Sequence, residues 1–176
     1  MTKLLGVLIA GGLSRRFGSD KALALWQGRP LVEHAADALR PHVDALVICG
    51  RAHGSLTVVA DRPAPNMGPL GGLNGALHYA RAYGYEAVLT AGCDTPLLPD
   101  SLLDRLRSSP GPAYVSSLPV IGYWPADLAD RLDAFLAEDR KHAVRAWGDT
   151  VSAEAIDGHA LVNINEPADL VSLKLV

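Results

Sequence analysis

The 176-residue sequence predicts an α/β fold with a doubly wound, mostly parallel sheet. Three observations predict it. Short apolar runs with the length of strands buried on both faces recur at 6–10, 45–49, 56–60 and 87–91. Segments of helical spacing at 30–40 and 73–82 stand between them. Glycine-rich or acidic stretches follow the carboxyl ends of the runs, where open parallel sheets bind ligands.

The run at 6–10 empties into Gly11 and Gly12, with Arg15, Arg16 and Lys21 close behind. Residues without a Cβ let backbone N–H groups approach a ligand closely, and the cations favour an anion, so this loop reads as a polyphosphate cradle. Residues 22–28 are mixed. Pro30 then suits a first helical turn, and Leu31, His34, Ala35, Ala38 and Leu39 share one face of an amphipathic helix ended by Pro41. The second run is closed by Gly50, and the third delivers Asp61. Residues 66–73 form a second glycine-rich loop ahead of the helix at 73–82. The fourth run leads into Gly92-Cys93-Asp94-Thr95-Pro96, and a helix follows over 100–107.

Serine, proline and glycine cluster at 108–112 and break the pattern. Beyond them come short strand candidates at 114–116 and 120–124 and helices over 125–137 and 141–147. An edge strand at 151–156 and a last helix opening at Glu166-Pro167 complete the chain. This second half is expected to pack against the sheet and build the far side of the cleft.

Hydrophobic residues make up 49% and charged residues 20%, the balance of a globular chain, and the length suits one domain spanning 1–176. A net charge of −3 gives no basic excess for nucleic acid or a membrane surface, so neither is expected as a partner. Two cysteines make no disulfide framework and no zinc-like spacing. No apolar stretch approaches the ~18 residues of a membrane span, and the first run lacks a signal-peptide cleavage pattern. A cytoplasmic protein is expected.

The loop Gly11-Gly12-Leu13-Ser14-Arg15-Arg16-Phe17-Gly18 lacks the G-x-G-x-x-G of a dinucleotide site, and no G-K-[ST] makes it a P-loop. No acid ends the second run to hold a ribose, although Arg51 there suits a 2′-phosphate.

Residues 8–21, LIAGGLSRRFGSDK, resemble the L-A-G-G-x-S-x-R-M-G-x-D-K signature of the molybdenum cofactor guanylyltransferases. Gly28-Arg29-Pro30-Leu31 resembles that family's G-x-P-L, and Gly68-Pro69-Leu70-Gly71-Gly72-Leu73 its G-P-L-x-G. Cys93-Asp94-Thr95-Pro96 resembles its C-D-x-P, and Asn163-Ile164-Asn165-Glu166-Pro167 its N-x-N-x-P, all in the family's order. The resemblance implies a Rossmann-like nucleotidyltransferase fold. It also implies transfer of GMP from GTP to the terminal phosphate of molybdopterin or the molybdenum cofactor, with pyrophosphate leaving.

By the same resemblance, Ile9, Ala10, Gly11, Gly12, Lys21, Asp61, Gly68, Pro69, Leu70 and Asp94 bind the nucleotide. Lys21 and Asp94 are catalytic, and Asp94 holds a magnesium ion (Mg2+). Arg16, Asn163 and Asn165 fall on the side that receives molybdopterin, and other cofactor-biosynthesis proteins and acceptor molybdoenzymes are implied as partners. An aspartate can pair with two adjacent guanine donors, which suits Asp61 to the base or the ribose. Ile48 stands where the family often has asparagine, Phe17 replaces a methionine and Glu166 a threonine, and residues 114–120 are shorter than usual.

Plainer readings stand beside these. Lys21 can be a solvated loop lysine, Asp94 a loop cap, Asp61 the start of a turn, and the two asparagines an Asx turn capping the last helix. The alternative functions are transfer of CMP or of a nucleotide to a sugar phosphate, and a non-catalytic adaptor that hands on the cofactor. Cys93, Cys49, Trp124 and Trp147 read as packing residues.

Overall fold

The computed structural model describes residues 2–12, 20–158 and 161–173. Its first strand, β1 (Leu4–Ile9), is buried along its whole length and lies in the interior of a seven-stranded sheet. β4 (Ala45–Cys49) flanks it in parallel on one side, with β5 (Thr57–Val59) beyond, and β6 (Ala87–Gly92) flanks it in parallel on the other. The chain thus winds outward from β1 to β5 and then crosses back to β6. That reversal opens a crevice at the carboxyl end of β1.

Side chains alternate across β1: Leu5, Val7 and Ile9 face one core, Leu4 and Leu8 the other. α2 (Pro69–Ala82), α4 (Ala129–Ala137) and α5 (Val144–Thr150) cover the first face, and α1 (Leu31–Leu39) and α3 (Asp100–Arg107) the second. Trp124 and Trp147 are fully buried in the first core, Trp124 stacked with Tyr114, as packing residues should be. Among the described residues no helix is long and apolar enough to cross a membrane.

Three features differ from the sequence expectation. The strands expected at 114–116 and 120–124 and the edge strand expected at 151–156 are present as β7 (Ala113–Val115), β8 (Gly122–Pro125) and β9 (Glu154–Ile156), but they extend the main sheet itself instead of only packing against it. β8 runs antiparallel to both β6 and β7, and β9 closes the edge in parallel with β7. The mixed stretch before α1 is a small hairpin of β2 (Leu25–Trp26) and β3 (Arg29–Pro30), turned by Gln27 and Gly28, both at positive φ. It buries Trp26 against Leu31, Ile164 and Leu173, which ties the C-terminal segment to the start of α1. Finally, the second glycine-rich loop is largely helix, since α2 begins at Pro69. α6 (Pro167–Ser172) opens at Glu166-Pro167 as expected, with Glu166 and Asp169 forming its capping box.

Candidate active site

At the carboxyl end of β1 the backbone carries on into Gly11 and Gly12 beside the end of β4. Gly50, at φ +87, faces Gly11 so closely that a Cβ at Gly50 would fall on the Gly11 backbone. Only glycine allows this approach. The two strand ends therefore meet with bare backbone and leave space above for a ligand.

Two cavities share the wall made by Ile9, Gly11 and Gly12. One, of about 300 Å³, is lined further by Ala10, Asp20, Lys21, Arg51, Pro69 and Gly92 to Asp94. The other, of about 810 Å³, is lined by Cys49, Gly50, Asp61, Asn66, Gly68 and Gly72. Of the residues expected to bind a nucleotide, Ile9, Ala10, Gly11, Gly12, Lys21, Asp61, Gly68, Pro69 and Asp94 all line this double cleft. Leu70 lines neither cavity; its side chain is fully buried beneath α2.

Lys21 sits in a single 3-10 turn, Lys21–Leu23, capped by the Asp20 carboxylate. Its Nζ donates to Asp94 Oδ2 at 3.2 Å, with the two side chains 18% and 27% exposed. Asp94 follows β6, and Gly92 makes room for it, since a Cβ there would lie 2.6 Å from Asp94 Oδ1. The carboxylate is thus seated in a glycine cradle and open to the cavity. It offers the hard oxygen donors that magnesium or another divalent cation takes, so the site fits such an ion.

The segment 161–166 docks on the same residue. Ile164 N donates to the Asp94 carbonyl at 2.7 Å, and the Asn163 amide, with its nitrogen toward Asp94, donates to Oδ2 at 3.2 Å. Asn165 lies 3.1 Å from the Asn163 amide and is exposed. Neither side chain caps α6, a task that falls to Glu166 and Asp169. Arg16 lies outside the described residues.

Asp61 enters the larger cavity over the first turn of α2, where a Cβ at Gly71 would lie 3.2 Å from Asp61 Oδ2 and one at Gly72 3.7 Å from Oδ1. The α2 start has no side-chain cap, but Pro69 carries no N–H and Gly71 N donates to the Gly68 carbonyl at 3.0 Å, so in the first turn it is the Leu70 N–H that is placed to meet an anion. Ile48 is fully buried on the α1 face, so the asparagine it replaces bears on packing there; the cleft at this strand end is lined by Cys49, Gly50 and Arg51. Burial pushes the Cys93 thiol up to about 11 and the Cys49 thiol up to about 12, which leaves neither a nucleophile at neutral pH.

From the sequence Arg51 suited only a 2′-phosphate, and its pairing with Asp20 was missed. Arg51 grips both oxygens of Asp20, Nη1 to Oδ1 at 2.5 Å and Nη2 to Oδ2 at 2.6 Å. The hydrogen bond from Arg51 holds the Asp20 carboxyl below its usual range. Elsewhere, among the described residues, His78, Asp130 and Asp133 are close enough together to hold a metal. Arg81 pairs with Asp130, while Asn74 and His78 bond Asp133, so the group is an ion-pair network between α2 and α4. None of these residues lines the cleft.

A family model described as the MobA-like NTP transferase domain matches residues 6–152. A molybdenum cofactor guanylyltransferase from Rhodobacter capsulatus is 34% identical over 179 residues, covering 96% of this chain and 93% of its own. The chain belongs to this guanylyltransferase family. A second family member, from Rhizobium meliloti, is 36% identical over 80% of this chain and 72% of its own. Among solved structures, the molybdopterin-guanine dinucleotide biosynthesis protein A of Archaeoglobus fulgidus superposes with a TM-score of 0.75 at 17% identity, covering 96% of this chain and 95% of its own. A 2-C-methyl-D-erythritol 4-phosphate cytidylyltransferase from Thermus thermophilus does so at 0.71 and 16%, covering 97% and 98%. These two likenesses concern the fold alone.

Proposed function

We propose that this guanylyltransferase family member transfers GMP from GTP to the terminal phosphate of molybdopterin or its molybdenum-loaded form and releases pyrophosphate. The observation that carries the proposal is the meeting of Lys21 and Asp94, 3.2 Å apart, in a cavity walled by the bare backbone of Ile9 to Gly12. The acceptor phosphate is already an anion, so attack on the α-phosphorus needs alignment and charge neutralisation more than a protein base. One P–O bond forms to the acceptor as the bond to the β-phosphate oxygen breaks.

Each residue then has a task. Backbone N–H groups of the glycine turn and of Leu70 at the α2 start hold phosphate oxygens. Lys21 balances the β,γ-phosphates as a point charge. Asp94 holds a magnesium ion, which supplies charge neutralisation at the triphosphate when bound. Asp61, in the larger cavity with Gly68, receives guanine or its ribose. Asn163 and Asn165, beside Asp94, face the acceptor, and Arg16 is assigned to the same side from the family signature. The whole chain acts as one domain, in the cytoplasm, and delivers product toward molybdoenzymes.

Incubation with magnesium, molybdopterin and each of the four nucleoside triphosphates tests the proposal. Pyrophosphate release with GTP alone is expected. Release with CTP alone moves the chain to cytidylyl transfer, and no release with any triphosphate overturns the enzyme assignment.

A further inference from the structure

Lysine is a point charge on a flexible stem, and its usefulness against a phosphate depends on how firmly its backbone is held. Lys21 lies in a turn of three residues, too short to persist alone. Asp20 organises that turn: its Oδ1 accepts from Ala22 N at 3.2 Å, and its carbonyl accepts from Leu23 N at 3.1 Å. Ala22 is buried in the core under α1, which anchors one side of the turn.

The other side is anchored by Arg51. β4 is hydrogen-bonded on both edges, to β1 and β5, and Arg51 lies two residues past its end, after Gly50, so the guanidinium stands on a rigid support. Two parallel N–H to oxygen contacts fix direction as well as distance, which a single contact does not. The side chains are 22% and 44% exposed, so the pair adds little to global stability and its value is geometric.

We propose that Arg51 is a positioning residue: through its two-pronged grip on Asp20 it fixes the turn that presents Lys21 to the nucleotide's phosphates. The inference rests on the guanylyltransferase reading for the nature of the ligand, although the grip itself is independent of it. A direct contact of Arg51 with phosphate is the competing assignment, because the guanidinium lines the same cavity.

Arg51→Gln, Arg51→Lys and Asp20→Asn, the last chosen because asparagine caps as well as aspartate, test this alone, combined, and on a Lys21→Ala background. Calorimetric binding of Mg-GTP, steady-state constants for both substrates, and hydrogen exchange of the Ala22 and Leu23 amides are the measurements. Arg51→Gln should weaken Mg-GTP about tenfold, within the ~10²-fold that small misplacements cost, with the KM for molybdopterin unchanged. Asp20→Asn should match it, the double variant should be no worse, and Arg51→Lys should fall between. On the Lys21→Ala background neither change should weaken binding further. In the free protein Arg51→Gln should speed exchange at Ala22 and Leu23 while β4 and β6 stay protected.

Equal weakening with and without Lys21 overturns the proposal in favour of direct contact. Unchanged binding and exchange in Arg51→Gln also overturn it. Exchange needs no nucleotide, so if wild-type protein turned over no GTP while Arg51→Gln still loosened the turn, the functional reading would fall and the brace would stand.

Discussion

Replacing Asp94 with asparagine removes a charge from the centre of the cleft and leaves the side chain's shape. The fold should tolerate it. The Lys21–Asp94 pair is partly exposed, and such pairs contribute at most about 1 kcal/mol after screening, which for a chain of this length is roughly 2–4 °C in Tm. The Asp94 carbonyl still accepts from Ile164 N, so the C-terminal segment stays docked. Catalysis should not tolerate it, because a preorganised charge that meets the reacting phosphates contributes about 2.7–4 kcal/mol, or roughly 10²–10³ in kcat. Pyrophosphate release from GTP with molybdopterin, measured over a magnesium series, reads both effects. The expected result is a fall of that size with a higher half-saturating metal concentration. A variant within about threefold of wild type, at unchanged metal dependence, would refute the assignment of Asp94 as the metal carboxylate, since the quoted scale leaves no room for it.

Lys21→Ala should lower kcat/KM for GTP by about 10²–10³, the scale for one preorganised charge contact, with near-normal turnover counting against it. Both thiols, raised to about 11 and about 12 by burial, should stay protonated and resist iodoacetamide at neutral pH in the folded protein; rapid labelling of Cys93 would contradict its environment. Asp133→Ala should destabilise the fold by about 1–3 kcal/mol in denaturant titrations, because it strips the Nδ2 partner from fully buried Asn74. Burial raises the Asp133 pKa, but hydrogen bonds from Asn74 and His78 outweigh it and hold the carboxylate below its ordinary 3.8. Its stabilisation is therefore complete above that value and lost as pH falls through the lowered one. The deficit of the variant should shrink in acid, and a deficit independent of pH would argue against an ionic contribution.

The parallel half of the sheet was legible because its strands read as continuous apolar runs, of which Leu4 to Ile9 and Ala87 to Ala91 are buried on both faces. The antiparallel insertion of β8 was not: a strand was expected at 120–124, but its direction and place are set by pairing with β6 and β7, which one segment's own pattern does not specify. The first turn of α2 was hidden by Gly71 and Gly72, poor helix formers whose missing side chains admit Asp61, Ile9 and Cys49. At the site, Lys21 and Asp94 belonged to motifs, and the structure brings them together in one cavity. Arg51 belonged to none. The sequence offered it only a 2′-phosphate, and its place beside Lys21 is seen only when Asp20, thirty-one residues away in sequence, is found to face it.

The docking of residues 161–166 onto Asp94 also bears on the order in which the molecule can be completed. β1, β4, β5 and β6 are all present once the first hundred residues exist, and they already contain the glycine turn, Lys21, Asp61 and Asp94. The hydrogen bond from Ile164 to Asp94 closes a loop of seventy residues and the burial of Ile164 against Trp26 one of 138, and both can form only after residue 164 has been made. A nascent chain therefore holds the glycine turn, Lys21 and Asp94 before the segment that docks on them. The contact at Asp94 is made after the cleft that holds it.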